Sequence, residues 1–174
     1  MKKRGQVWVE TVIYTLIAFV MIGAVLAYAK PKIEEMQDKA IIEKTIGMME
    51  ELNGVILSLD QGGAGNKRIV DIGISKGEIE IDGANNKMAF KIESKNTYSQ
   101  PGENIAVGNL IAKTEKRGKL NIITLTMDYS GKYDLTYNEL DSVKILTKSS
   151  TLYKISVSNK GKNNNETQMD FDIN

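Results

Sequence analysis

The sequence predicts an α+β chain in which a long, partly transmembrane N-terminal α-helix leads into an antiparallel β-sandwich-like outer domain. Three observations predict it. Thr11–Ala29 is uncharged and apolar over the length of a bilayer-crossing helix. Between Ile42 and Leu59 apolar side chains recur at intervals of three and four. From Arg68 onward the period falls to two and stays there, with turn signals at short spacing. At 174 residues the chain has room for about one domain and an anchor.

The first element carries an anomaly. Lys2, Lys3 and Arg4 precede the apolar run, which places the N-terminus on the cytoplasmic side and everything from Lys30 onward outside. Glu10 stands alone at the head of the run. A carboxylate within a membrane helix costs about 2.5–3.5 kcal/mol on insertion scales, so it points to a function and to a partner. The helix macrodipole offsets part of that cost, about 0.3–1 kcal/mol for an acid in the first turn. Trp8 and Tyr14 suit an interfacial aromatic belt, and Gly23 with Ala27 forms a small-xxx-small pair that admits close helix approach.

Pro31 follows the apolar run and predicts a bend, either as a kink inside one helix or in the first turn of a new one. Residues 30–60 then read as an amphipathic helix, with Ile42, Ile46, Met49, Leu52, Ile56 and Leu59 on one stripe and acids and lysines elsewhere. Residues 61–67 form a Gly-rich linker. It lacks the Gly-Lys-Ser/Thr ending of a phosphate loop and opens no helix. The β domain occupies 68–174. Its strands are expected at 69–74, 78–82, 87–93, 104–115, 120–129, 132–138, 143–146, 152–158 and 169–173, separated by turns such as Gly83-Ala84-Asn85-Asn86. The expected core is Ile72, Ile74, Ile79, Ile81, Phe90, Ile92, Leu120, Ile122, Leu125, Tyr153, Ile155 and Val157.

Composition narrows the chemistry. Cysteine and histidine are both absent, which removes disulfides, thiolate nucleophiles, Cys-ligated zinc, His-containing triads and the usual base near neutral pH. No catalytic, cofactor-binding or metal-binding residue is therefore assigned, and the chain is not expected to be an enzyme. The net charge is +1, or −2 on side chains without Lys2, Lys3 and Arg4, so no nucleic-acid partner is expected. Asp170 and Asp172 fall on one side of a strand, where a solvated face competes with a calcium site. Asn165-Glu166-Thr167 is an N-glycosylation sequon in an Asn-rich loop, which makes Asn165 a candidate modification site.

Three fates of the N-terminus predict three mature proteins. Cleavage after Ala29, at the small-x-small site Ala27-Tyr28-Ala29, would release a soluble domain, although the apolar run exceeds an ordinary signal-peptide core. No cleavage would leave a signal-anchored surface protein whose β domain binds a ligand or partner. Cleavage between Gly5 and Gln6 would keep the apolar helix in the mature chain and make Glu10 its fifth residue.

The block Lys2-Lys3-Arg4-Gly5, then Gln6, with Glu10 four residues on and a long apolar helix behind it, resembles the class III (prepilin-type) signal peptide of archaeal type IV pilin-like proteins. The motif covers the first 30 residues; beyond them the likeness is one of layout. The resemblance implies a leader at 1–5, removed by a prepilin peptidase that recognises Arg4 and Gly5 and leaves Gln6 as the first mature residue, and a hydrophobic transmembrane and filament-core helix at 6–29. It implies assembly through Gln6 and Glu10, with the pilus assembly machinery and with copies of itself or other pilin-like subunits as partners. The implied protein is a structural or adhesive subunit, single-pass in the membrane before assembly and at the cell surface or in an extracellular filament afterwards. Val7-Trp8 departs from the family, which often has a small or hydroxyl residue soon after the cut.

Overall fold

The computed structural model describes residues 3–163 and 165–173, with side chains from Trp8 onward. The chain divides into two compact units, Met1–Asp38 and Lys39–Asn174. One helix, α1 (Lys3–Gly62), accounts for the regular structure of the first unit and opens the second. Pro31 lies inside α1, so of the two expected placements the structure has the interior one.

The first unit is a helix without a core. Its most apolar window is wholly exposed, and the helix is long and apolar enough by length and composition to cross a membrane. At about 1.5 Å per residue the uncharged run measures roughly 29 Å, close to the thickness of a bilayer's hydrocarbon layer.

The second unit sets the end of α1 among ten strands: β1 (Lys67–Ile72), β2 (Glu78–Asp82), β3 (Lys87–Ser94), β4 (Asn104–Val107), β5 (Leu110–Arg117), β6 (Leu120–Asp128), β7 (Tyr133–Tyr137), β8 (Val143–Thr147), β9 (Tyr153–Asn163) and β10 (Glu166–Ile173). They form a four-stranded sheet in the order β1-β9-β10-β7 and a six-stranded sheet in the order β4-β5-β6-β3-β2-β8. Pairing is antiparallel except between β10 and β7, which run parallel. The expected antiparallel α+β class holds, with that one departure.

The helix stripe joins the sheets in one core. Ile42, Met49, Leu52, Ile56 and Leu59 belong to the same buried cluster as Ile72, Ile79, Phe90, Leu125, Val157 and Phe171. Ile46, also expected there, is only partly buried. Nine of the twelve expected β-domain core residues are buried: Ile72, Ile74, Ile79, Ile81, Phe90, Ile92, Leu125, Ile155 and Val157. Leu120 and Ile122 are corrected. They point away from the core because β6 buries the alternate set, Ile123, Leu125 and Met127. Side chains on a strand alternate faces, so Leu120 and Leu125 are never on the same one. Tyr153 is half-buried at the cluster's edge, and its hydroxyl donates to the Thr147 carbonyl.

Two turns need special backbones. The expected strand 104–115 is broken at Gly108, φ 59°, which turns β4 into β5. The tip after β7 is a two-residue reversal through Asn138 and Glu139, φ 52° and 62°, closed by the Tyr137 and Leu140 amides, each donating to the other's carbonyl. Both central residues at positive φ define a type I′ geometry, in which asparagine is favoured and glutamate is not.

Candidate functional site

Between Trp8 and Tyr28 the surface of α1 is apolar on every side. Trp8, Leu16 and Phe19 are 73%, 61% and 70% exposed, and Val12, Ile13, Ile17, Val20, Ile22, Val25 and Leu26 are exposed as well. A helix apolar all round belongs in a membrane or against other chains. Glu10 is exposed in this surface, and no hydrogen bond or ion pair holds it among the described residues. Helical spacing puts Ile13, Tyr14 and Ile17 on its face. One turn away, the Thr15 hydroxyl donates to the Thr11 carbonyl at 2.8 Å, which satisfies it within the helix. These two threonines, with Val12, Leu16 and Phe19, line a shallow apolar groove. Arg4, Gly5 and Gln6 lie in the α1 backbone, and their side chains fall outside the described residues.

In the second unit the polar groups are spent on fixing the helix end. Gly63, φ 80°, terminates α1 in the left-handed conformation that glycine adopts freely. The orphan carbonyls of the last turn then find side-chain donors. The Asn66 carboxamide donates to the Gly62 and Gly63 carbonyls at 2.6 and 3.0 Å, and that of Asn159 donates to Leu59 at 2.9 Å. Asn159 is buried, and its backbone carbonyl accepts from the Gly65 amide while its own amide donates to the Asn66 carbonyl. Its side-chain oxygen takes the Gly161 amide at 2.8 Å. That bond shapes a bulge in which Lys160 is the extra residue between Asn159 and Gly161.

Asp60 carries a negative charge at the helix C-terminus, the unfavourable end of the macrodipole. Two hydroxyls compensate: Tyr133 donates to one carboxylate oxygen at 3.1 Å and Thr167 to the other at 3.0 Å. Burial, then the Asp60 carboxylate, push the Tyr133 hydroxyl up to about 12. The sequence offers no signal for this cluster, whose members lie on α1, β7 and β10.

The remaining candidates are mostly consumed by structure. Asp170 is buried and accepts the Thr136 hydroxyl at 2.8 Å and the Glu139 amide at 2.7 Å, with the Lys160 ammonium 3.9 Å away. Lys160 also pairs with Glu139, which lowers the Glu139 carboxyl and raises the lysine. Asp170 thus ties the type I′ tip to β10. Among the described residues no group of three or more side chains suited to a metal is found. A groove of 460 Å³ is lined by residues of both charges, among them Lys76, Glu78, Lys91, Glu93 and Arg117, and by Ile122. Lys91 is already paired with Glu80. Asn165 is exposed at a left-handed turn, φ 76°, immediately before β10.

Searches against family models, curated proteins and solved structures returned no match.

Proposed function

We propose that the chain is a pilin-like structural subunit of a type IV pilus-like cell-surface filament, processed after Gly5 and assembled through the helix that then begins at Gln6. The β domain is displayed for adhesion or surface interaction, and no catalytic step is involved. The observation that carries the proposal is Glu10, an exposed carboxylate without a partner among the described residues, on a helix apolar all round. In an assembly, the α-amine created at Gln6 of a neighbouring copy supplies a charge-assisted partner in low dielectric, and the pair sets the axial register. The apolar surface from Trp8 to Tyr28 supports the same reading, since lipid before assembly and neighbouring helices after it would both cover it.

Terminal mass spectrometry of the mature protein tests the processing step: Gln6 is expected, whereas Met1 or Lys30 overturns it. Glu10→Gln tests the assembly step. Sheared-filament yield should fall to background while membrane fractionation of the subunit is unchanged. Filaments at wild-type yield would overturn the assembly role of Glu10, whereas a retained Met1 with no filaments from the wild-type chain would favour an uncleaved, signal-anchored protein whose β domain binds a partner as a monomer.

A further inference from the structure

We propose that Asn165 accepts an N-linked glycan only while β10 is undocked, so that folding of the β domain closes its own modification site. What distinguishes threonine or serine in a sequon is the hydroxyl, so a transferase must reach it, and here it is out of reach. Thr167 is 6% exposed and its hydroxyl donates to Asp60. The backbone is occupied as well. Glu166 pairs with Asn163, and Thr167 is flanked by Lys162 of β9 on one side and Tyr133 of β7 on the other. An enzyme that needs the tripeptide free of its neighbours has to strip an interior strand from both partners. The acceptor itself is different: Asn165 is exposed, and its turn leaves room for a substituent pointing to solvent. A glycan attached before docking is therefore compatible with the finished fold, and one attached afterwards is blocked.

The step is a displacement. The Asn165 carboxamide nitrogen bonds to the anomeric carbon of a phosphate-activated glycosyl donor, the carbon–oxygen bond to phosphate breaks, and the amide proton passes to a base of the transferase. The sequon is open only until β10 pairs with β9 and β7. Occupancy then reports a race between transfer and folding. The inference is independent of the filament reading and stands or falls without it.

An oligosaccharyltransferase with its lipid-linked glycan tests the proposal on three acceptors: a peptide of residues 160–172, the folded full chain in detergent, and the full chain with Phe171→Ala, which removes a wholly buried β10 side chain. Transfer to the peptide is expected. The folded chain should react at least about a thousandfold more slowly, since opening a core strand approaches the cost of global unfolding. The Phe171→Ala chain should fall between them, or match the peptide if it does not fold. Modification of the folded wild-type chain at the peptide's rate overturns the proposal, as does a peptide that is not modified.

Discussion

Two stretches of one helix dispose of their apolar side chains in opposite ways. From Ile42 to Leu59 they lie on one stripe and are buried in the β domain's core; from Trp8 to Tyr28 they cover every face and stay exposed. The secondary structure is the same, so the difference lies in the pattern alone. A stripe about 100° wide can be satisfied by one partner, whereas a full cylinder needs a surrounding medium or several partners. The contrast extends to the acids. Asp60 meets two hydroxyl donors in its own chain, while Glu10 meets none among the described residues.

The largest effects should separate the two stretches. Leu52→Ala or Ile56→Ala, each at a nearly unexposed site, should cost about 2–5 kcal/mol in the denaturant unfolding of the β domain. Leu16→Ala should leave that unfolding midpoint where it is. Equal losses at both sites would erase the distinction. Next in size is Thr167→Val, which keeps the volume but removes a donor from Asp60; a loss of about 1–3 kcal/mol is expected, with Thr167→Ser close to wild type.

Base titration provides a subtler probe. The Tyr133 hydroxyl ionises at about 12 in the folded chain against 10.0 ordinarily, so the folded state holds its proton longer than the unfolded one. Its contribution is complete below pH 10 and declines as pH rises toward about 12. Unfolding followed through that window should show the decline, and Tyr133→Phe should lessen it, leaving the share of Tyr129, whose hydroxyl burial also raises. The smallest effect is a gain. Glu139→Gly relieves a left-handed residue at the type I′ tip but gives up an exposed ion pair, and should stabilise by about 0.5 kcal/mol net, read as a small rise in melting temperature.

The α+β class and the helix stripe were legible because a 3.6-residue period survives without knowledge of partners. Strand β6 was harder: Ile122 and Ile123 are adjacent and both apolar, so composition offers two phases, and only the packing of β6 between β3 and β5 selects the one containing Ile123 and Leu125. The parallel pairing of β7 with β10 was not legible, since strands more than two dozen residues apart leave no local mark of their pairing. The same holds for Asp60, which meets Thr167 across 107 positions of sequence. Glu10 stood out by its charge alone, whereas nothing local identifies its partner.

The Gly63-Ala64-Gly65-Asn66 segment has the composition of a flexible tether, and its hydrogen bonds make it a rivet. Gly65 and Asn66 are bonded to Asn159, and Asn159 grips the helix at Leu59. Load applied along Ile42–Leu59 therefore passes directly into β9 without first stretching the glycines. The end of the helix acts as a stiff lever built into the four-stranded sheet, and a pull on one is a pull on the other.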